Sequence, residues 1–363
     1  MKRIAYLSDA RYEGGAERYL IRLAGNLDRN TWSPVLLLPA SRNLDDLAGL
    51  AETRGIEVRR HEPGGFAGTR SPLALGALIR GARADLVHLN LPSTYDLGCG
   101  LAAPVARAAG ARAVVTTEHI ADILPSRRRI LAKQAGLSSI DRVIAISTMH
   151  GKLLVERHRV PERKIRVIYN GVEDPGLCSR HSSPTLGILC VGVIEHRKGQ
   201  DLLVDSVETL LSRGHDVRLV LVGDGPERGA LEARVRRSAP LQDRVVFTGI
   251  LPSVWPEFAV ADVVAIPSRI EGLPFTILEG FAAGAAVAAA ALPGMDEVID
   301  HGRTGLIVPA STRECWADTL SGLALNPEIR LRLAHAGRQE YEKRFTIGRM
   351  VEETQALYSE VLR

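Results

Sequence analysis

The sequence is poor in aromatic residues and in long apolar runs. Phe, Trp and Tyr make up only 4% of its 363 residues. None is interleaved with basic residues, so a surface that stacks the bases of single-stranded nucleic acid is excluded. The longest apolar run, 281–292, is shorter than the roughly 20 residues that cross a bilayer, which predicts no transmembrane helix. The opening MKRIAYLSDA has too few apolar residues for a secretory leader and predicts a first strand.

Cysteine and metal-ligand patterns are scarce as well. The four cysteines, at 99, 178, 190 and 315, include no CxxC pair. This spacing predicts a reducing, cytoplasmic setting without structural disulfides. The sequence also has no DxD run and no cluster of His and Cys, so we expect no divalent metal and no cofactor.

Lysine is rare beside arginine, and the charge is unevenly divided. There are 6 Lys and 40 Arg, and residues 1–178 carry 26 basic and 18 acidic side chains, whereas residues 179–363 carry 20 and 24. A basic half can serve an acidic partner or an anionic membrane surface, or it can be a solvated Arg-rich surface. The same two interpretations, a membrane-facing or a solvated surface, apply to a candidate helix that contains Arg127, Arg128, Arg129 and Lys133. We favour the solvated surface over peripheral membrane contact.

Short apolar runs alternate with helical periodicity along the chain, which predicts parallel sheets buried on both faces. In the first half the predicted strands are 4–7, 35–38, 86–89, 113–116, 143–146 and 165–168. In the second half they are 186–191, 217–222, 245–248, 263–266, 286–290 and 305–308. At about 100 to 200 residues per domain, the length predicts an α/β protein of two doubly wound, Rossmann-like domains whose carboxyl strand ends face a central cleft.

Turn-forming residues at 170–184 mark the predicted seam. The domains are therefore predicted at 1–175 and 176–345, and an amphipathic stretch at 346–363 predicts a closing helix.

Two features of the first half follow predicted strands. Gly14 and Gly15 precede a helical run, and such a turn lets the backbone approach an anion at the helix start. Glu118 and His119 end a predicted strand, where a titratable pair faces the cleft. The dinucleotide fingerprint GxGxxG is absent, and GDGPER at 223–228 lacks its third glycine, so a nicotinamide or flavin fold is disfavoured.

Two segments of the second half suit a polyphosphate. Gly192 ends a strand, and Arg197 and Lys198 come before a helix. Arginine can donate two parallel hydrogen bonds to two phosphate oxygens, and lysine adds a compact positive charge. The pair therefore suits a diphosphate without a metal. In PSRIEGLPFTILEGFAAG, at 267–284, Pro274 suits a first helical position and Gly284 a helix stop.

The same segment offers backbone donors and carboxylates. The amides of Phe275 and Thr276 would face a phosphate. Glu271, in the turn, can meet a sugar, with Gly272 giving backbone access, while Glu279 can accept hydrogen bonds from a ribose diol. An ordinary helix with one half-buried glutamate is the competing interpretation.

Together these residues make the chain resemble the retaining nucleotide-sugar glycosyltransferases of the GT-B fold, of the family 4 type. The matching features are GGAE at 14–17, His119 at a strand end, YNGVE at 169–173, HRKG at 196–199, VGDGP at 222–226 and EGLPFTILEG at 271–280. They occur in the family's order over nearly the whole chain.

The resemblance implies transfer of a sugar from a nucleoside-diphosphate sugar to a hydroxyl acceptor, with retained configuration. It implies that the first domain binds the acceptor and the second the donor, and that the closing helix at 346–363 crosses back onto the first domain. The implied catalytic residues are His119, Glu271, Lys198 and Arg197. The implied donor-binding residues are Gly15, Gly192, Arg197, Lys198, Ile250, Leu251, Gly272, Leu273, Pro274, Phe275, Thr276 and Glu279. Of these, Ile250 and Leu251 would lie near the base, and Glu271 and His119 near the reacting carbon of the sugar.

One departure from the family pattern concerns the phosphate site. The family often has an arginine where this chain has Val193, so Arg197 would supply the second cation. Two alternatives remain open: a nucleotide-sugar epimerase of the same architecture, and a binding protein that kept the nucleotide site without turnover. The acceptor is expected to be a small natural product or another glycoside.

Overall fold

The computed structural model describes residues 1–8, 10, 14–61, 72–91, 100–120, 126–176, 184–309 and 312–363. The chain divides into two units. The first contains Met1–Gly171 and Ile347–Arg363, and the second contains Val172–Thr346. The chain thus leaves the first unit four residues before the predicted limit at 175 and returns to it at 347.

The first unit is built on a seven-stranded parallel sheet. Its strands are β1 (Lys2–Leu7), β2 (Trp32–Pro39), β3 (Glu57–His61), β4 (Leu86–Leu91), β5 (Ala113–Glu118), β6 (Arg142–Ala145) and β7 (Ile165–Val167), in the order β3-β2-β1-β4-β5-β6-β7. Its helices are α1 (Gly15–Gly25), α2 (Asp45–Thr53), α3 (Pro72–Ala82), α4 (Ala102–Ala108), α5 (Arg127–Leu137), α6 (Thr148–Glu156) and α13 (Ile347–Val361). The order reverses between β1 and β4, and that reversal is the switch point beside which ligands bind in such sheets.

The second unit repeats this plan with six parallel strands. They are β8 (Leu186–Val191), β9 (Val217–Val222), β10 (Val245–Gly249), β11 (Val263–Ile266), β12 (Ala286–Ala290) and β13 (Leu306–Val308), in the order β10-β9-β8-β11-β12-β13. Its helices are α7 (Gln200–Ser212), α8 (Arg228–Arg237), α9 (Trp255–Val260), α10 (Phe275–Ala282), α11 (Arg313–Leu325) and α12 (Pro327–Arg344). Here the switch point lies between β8 and β11. The predicted fold class, two Rossmann-like α/β domains, is confirmed.

The central strands form because their side chains are buried on both faces. All residues of β4, β5, β11 and β12 are buried, and apolar runs of this kind are typical of parallel sheets covered by helices. In the second unit the core under one face is filled by α7, α8 and α11, with Trp316 fully buried among aliphatic side chains. Burial on both faces fixes the strand register and with it the position of each following loop.

One strand, β3, was not predicted. It lies at the edge of the first sheet beside β2, which is its one partner among the described strands, and it contains Glu57, Arg59, Arg60 and His61. Charged side chains on an edge protect the sheet from pairing with another chain, and they also hide the apolar pattern of a strand.

The carboxyl-terminal helix α13 packs within the first unit, against α1 and the sheet. Tyr358 hydrogen-bonds His88 on β4 and the hydroxyl of Tyr6 on β1, the latter at 3.2 Å. All three side chains are fully buried. Because a buried hydroxyl or imidazole needs a partner, this network specifies where the helix lies on the sheet.

Candidate active site

The loops after β8 and β11 bring the predicted phosphate residues together at the switch point of the second sheet. These strands are neighbours, with Val263 paired to Ile188. The loop after β8 contains Arg197 and Lys198 in a short 3-10 turn, and the loop after β11 contains Glu271. The register of two buried strands therefore places two cations and a carboxylate at one edge.

Lys198 and Glu271 form an ion pair between these loops. The Lys198 ammonium contacts one carboxylate oxygen of Glu271, and the hydroxyl of Ser268 donates to the same oxygen at 3.0 Å. The side chain of Glu271 is 8% exposed and that of Lys198 is 20% exposed. The pair remains reachable from solvent through the lysine, as a site for an anionic ligand requires.

Arg197 is held by its own loop. Its Nε and one terminal nitrogen donate to Glu195 at 3.1 and 2.7 Å, and the other terminal nitrogen donates to the carbonyl of Ile270 at 3.2 Å. That second terminal nitrogen also lies 3.6 Å from Glu271. The guanidinium is thus fixed beside the Lys198–Glu271 pair, in the position where a second cation can act on the same anion.

A further ion pair, which the sequence analysis missed, supports both loops. Arg269 binds Asp201 with two parallel hydrogen bonds of 2.9 and 2.7 Å. It also donates to the carbonyl of His196 at 2.5 Å, and its own amide donates to the carbonyl of Arg197 at 2.7 Å. No local motif signals this pair, because Asp201 lies in α7 and Arg269 lies 68 residues later.

Gly199 allows the two loops to approach. It has φ +73°, and a Cβ atom there would lie 2.2 Å from the carbonyl oxygen of Pro267. Only glycine adopts this backbone at no cost and leaves that space empty. The glycine of HRKG is therefore needed for the contact between the Lys198 loop and the Glu271 loop.

Helix α10 begins beside this ion pair. The helix starts at Phe275. The prediction that Pro274 is its first residue is wrong by one position, because Pro274 has an extended backbone and is the N-cap. Among the described residues no side chain caps the helix start, and the N–H groups of a first helical turn are suited to bind an anion. Leu273 is buried, Gly272 is half-buried, and Glu279 lies buried on the same helix at 6% exposure.

A small cavity of about 10 Å³ lies beneath the ion pair, lined in part by Lys198, Glu271 and Thr276. Gln200 also lines it. Its amide nitrogen donates to the carbonyl of Val193 at 2.9 Å, while its buried amide oxygen has no hydrogen-bond partner among the residues that the structure describes. The volume and the free acceptor suit one ordered water.

The remaining predicted donor residues lie in neighbouring loops of the second unit. Gly192 has φ +152°, and its amide donates to the carbonyl of Val222 at 2.9 Å, which ties the loops after β8 and β9. Ile250, with Leu251 after it, follows β10 and is 75% exposed. An exposed apolar side chain after a strand is consistent with the predicted place for a base.

In the first unit, Gly15 begins a helix and His119 follows a strand, as the sequence predicted, while their contact with a donor stays a prediction. Gly15 begins α1, and Glu17 in its first turn is buried and accepts a hydrogen bond of 3.1 Å from Ser8. His119 follows β5, is 7% exposed, and lies 2.9 Å from the amide oxygen of Asn90 through Nε2. Burial lowers the pKa of His119 to about 3, with a smaller effect from His88, so the ring is neutral at pH 7.

Two expectations about the neighbouring charges are wrong. Glu118 is not open to a ligand, because both of its carboxylate oxygens bind Lys133, at 2.5 and 2.6 Å. Lys133 belongs to no basic surface, since both side chains are 2% exposed. Arg127 and Arg128 are exposed on α5, and nothing is described of the Arg129 side chain.

Over the described ranges, no group of three or more His, Cys, Asp or Glu side chains has a geometry that could hold a metal ion. In the same part of the chain no helix has the length and hydropathy to cross a bilayer. Cys190 and Cys315 are free thiols, whereas Cys99 and Cys178 lie outside the described residues.

Comparison with known proteins identifies the family. The sequence model described as Glycosyltransferase Family 4 matches residues 13–174, and that described as Glycosyl transferases group 1 matches residues 185–326. The chain belongs to the GT-B glycosyltransferases of the family 4 type. It is a glycosyltransferase, and the substrate class shared by this family is the nucleotide sugars.

Similar proteins agree with this assignment. A D-inositol 3-phosphate glycosyltransferase of Actinosynnema mirum is 28% identical over 92% of this chain and 91% of its own length. A GDP-mannose-dependent alpha-(1-6)-phosphatidylinositol monomannoside mannosyltransferase of Mycobacterium tuberculosis is 26% identical over 90% of this chain and 89% of its own. The crystal structure of Anabaena HepE in complex with UDP-glucose matches with TM-score 0.81 and 22% identity over 99% of this chain and 100% of that chain. Neither the epimerase nor the binding-protein alternative is favoured by these relatives.

Proposed function

We propose that this glycosyltransferase transfers the sugar with retention of its anomeric configuration and without a divalent metal. Retention is proposed because the family resemblance implies it. The observation that carries metal independence is the cationic edge of the second sheet, where Arg197, Lys198 and the start of α10 lie together. A diphosphate needs positive charge and N–H donors, and this edge supplies both from the chain itself.

The proposed mechanism follows the movement of charge. When the bond between the anomeric carbon and the diphosphate breaks, negative charge grows on the leaving oxygen and positive charge on the sugar ring. Lys198, Arg197 and the first amides of α10 stabilise the leaving group because they are already held in place before the reaction. Glu271 lies beside the lysine, where its carboxylate can face the electron-poor ring.

The ribose and the sugar have separate proposed partners. Glu279 is proposed to accept hydrogen bonds from the ribose hydroxyls, because its carboxylate lies on the helix whose start binds the phosphates. Gly15, Ile250 and Leu251 are proposed to contact phosphate and base, and His119 a hydroxyl of the donor sugar, as the family resemblance implies.

UDP-glucose and GDP-mannose are the first donors to test, because the HepE structure contains the former and the mycobacterial relative is named for dependence on the latter. Purified protein incubated with each donor and a panel of hydroxyl acceptors should release nucleoside diphosphate. We expect Lys198→Ala and Glu279→Ala to lower that release by roughly 10² to 10³-fold. Lys152→Ala, which removes an exposed lysine, serves as the matched control. Undiminished release by the two site variants would refute the site.

Two further measurements test the remaining parts of the proposal. Proton NMR of the product should show the anomeric configuration of the donor, and inversion would contradict retention. Turnover should persist after dialysis against EDTA, whereas loss that Mg²⁺ or Mn²⁺ restores would contradict metal independence.

The acceptor is proposed to be a small hydroxyl compound rather than a membrane lipid. Flotation with anionic vesicles at low salt should leave the protein in the soluble fraction. Recovery with the vesicles would favour an acceptor at a membrane surface and would direct attention to Arg127 and Arg128 on α5.

A further inference from the structure

His119 is held in place by a hydrogen bond of its backbone and by a contact of its ring. Its backbone amide donates to the carbonyl of Leu91 at 3.1 Å, which continues the ladder between β4 and β5. The ring packs edge-on against Tyr19 of α1, with centroids 4.8 Å apart and planes at 74°. The orientation of both ring nitrogens is therefore set before a substrate binds.

Asn90 determines which ring nitrogen carries the hydrogen. Its amide nitrogen donates to the carbonyl of Ala16 at 3.1 Å. A carbonyl only accepts, so the amide group of Asn90 must point its nitrogen at Ala16 and its oxygen at His119. That oxygen lies 2.9 Å from Nε2 of His119 and only accepts as well. Nε2 must therefore be the protonated nitrogen of the imidazole.

The neutral state of His119 completes the assignment. Burial and the neighbouring His88 lower its pKa to about 3. His88 is itself neutral because burial lowers its pKa to about 3. The Glu118–Lys133 pair on the adjacent strand end and α5 is internally balanced, and His150 on α6 is another neutral imidazole. The neutral ring has one N–H, at Nε2, so Nδ1 carries a lone pair.

Among the residues that the structure describes, the hydrogen bond of the His119 ring is the one between Nε2 and Asn90. We propose that Asn90 is a positioning residue that holds His119 in the Nε2–H form and turns Nδ1 into an acceptor for a substrate hydroxyl. This inference rests on the proposed function, in which His119 contacts a hydroxyl of the sugar. It also assigns a selectivity: a hydroxyl donates to Nδ1, whereas a deoxy or fluoro group at the same carbon does not.

The tautomer can be read without turnover. Nitrogen-15 NMR of histidine-labelled protein at neutral pH should show, for His119, a bare Nδ1 and a protonated Nε2; the His119→Gln spectrum identifies these signals. In Asn90→Leu both tautomers should appear, because no acceptor then selects Nε2–H. Thr117→Val is the control. Thr117 lies on β5, the strand that precedes His119, and its buried hydroxyl hydrogen-bonds His88 and Tyr19. Its removal should leave the His119 signals unchanged.

Kinetics then test the role of the lone pair. Asn90→Leu should lower kcat/KM by about tenfold. For the unaltered protein, a monodeoxy donor that lacks the contacted hydroxyl should lower kcat/KM by about the same factor as Asn90→Leu does. For Asn90→Leu, the same donor should lower kcat/KM much less. Asn90→Asp keeps the acceptor but adds a negative charge, which raises the pKa of His119. As pH falls through that raised value, Nδ1 gains a proton, so activity should fall in an acid range where the unaltered protein keeps it.

The outcomes separate this inference from the proposed function. A bare Nε2 in the unaltered protein, or an unchanged tautomer in Asn90→Leu, overturns the inference whether or not the protein turns over. A correct tautomer with no kinetic change in Asn90→Leu and no loss with any monodeoxy donor overturns the assigned role of the lone pair. Absence of turnover with all donors refutes the proposed function and leaves the NMR test of Asn90 intact.

Discussion

The ammonium of Lys198 and the carboxylate of Glu271 form an ion pair that joins two loops at the switch point of the second sheet. Before a nucleotide binds, the lysine is neutralised by a protein carboxylate. A diphosphate that binds there gains the attraction of Lys198 and Arg197 and also meets the repulsion of Glu271. The carboxylate therefore weakens product binding while remaining close to the place proposed for the sugar.

Glu271→Gln should separate these two effects. The amide keeps the shape and can still accept from Ser268, but the charge is lost. We expect UDP to bind roughly fivefold more tightly, equivalent to about 1 kcal/mol of repulsion removed, while turnover falls by roughly 10²-fold. Calorimetry measures the affinity for UDP, and an assay of nucleoside diphosphate release measures turnover. Glu352→Gln, at an exposed site on α13, is the control, and weaker UDP binding by Glu271→Gln would contradict this account.

The Arg269–Asp201 pair should act on donor binding through loop position. Both side chains are partly exposed, at 24% and 32%, so screening limits the pair to roughly 1 kcal/mol of stability. Arg269→Ala also frees the carbonyl of His196 and should raise the KM for the donor several-fold with a smaller change in kcat.

Arg269→Lys keeps the charge without the two parallel bonds and should rescue only part of this loss. Arg213→Ala breaks a more exposed pair with Asp318 on the same unit and should leave KM unchanged. An equal KM for Arg269→Ala and Arg213→Ala would remove Arg269 from the site.

The buried pair of Glu118 and Lys133 makes a prediction about stability. Removing one partner leaves a buried charge uncompensated, so Lys133→Ala should lower the free energy of unfolding by about 3–5 kcal/mol. The double variant Glu118→Leu, Lys133→Met replaces both charges by apolar groups and should recover much of the loss. Urea denaturation measures all three, with Lys152→Ala as the exposed control. A double variant less stable than Lys133→Ala would contradict the explanation.

The sequence predicted the strands best where burial on both faces makes a strand a continuous apolar run. The bounds of β8, β9, β11 and β12 agree residue for residue with the prediction. It failed at β3, whose edge position permits Glu57 and Arg59 in place of apolar residues. The hydrophobic periodicity of a sequence reflects which side chains are buried. An edge strand has few buried side chains, so its sequence shows little of this pattern.

The positions of the candidate site residues were predictable where a residue follows a strand in the chain, and not where tertiary pairing decides. Gly192, Lys198 and Glu271 follow strands and carry a recognisable order of types. The pairing of Lys133 with Glu118 joins a helix to a strand end, and nothing local distinguishes that lysine from an exposed one. The contact of Asn90 with His119 likewise depends on the β4–β5 register.

Acid should destabilise the first unit through its buried histidines. Burial lowers the pKa values of His88, His119 and His150 to about 3, whereas an unfolded histidine titrates near pH 6.5. Between these values the unfolded chain binds more protons, so stability falls as pH falls through 6.5 toward 3. Each such histidine contributes up to about 1.4 kcal/mol per pH unit in this window.

His150 is the sharpest test, because within the described parts of the chain neither of its buried ring nitrogens has a hydrogen-bond partner. His150→Leu removes that unsatisfied group and its titration together. We expect the variant to be at least as stable as the unaltered protein at pH 7 and to gain up to about 1.4 kcal/mol on it for each unit that the pH is lowered between 6.5 and 4.5. Urea unfolding at three pH values measures the difference. His335→Gln, at an exposed site on α12, should leave the pH dependence unchanged, and a His150→Leu curve parallel to that of the unaltered protein would show that His150 is protonated in the folded state.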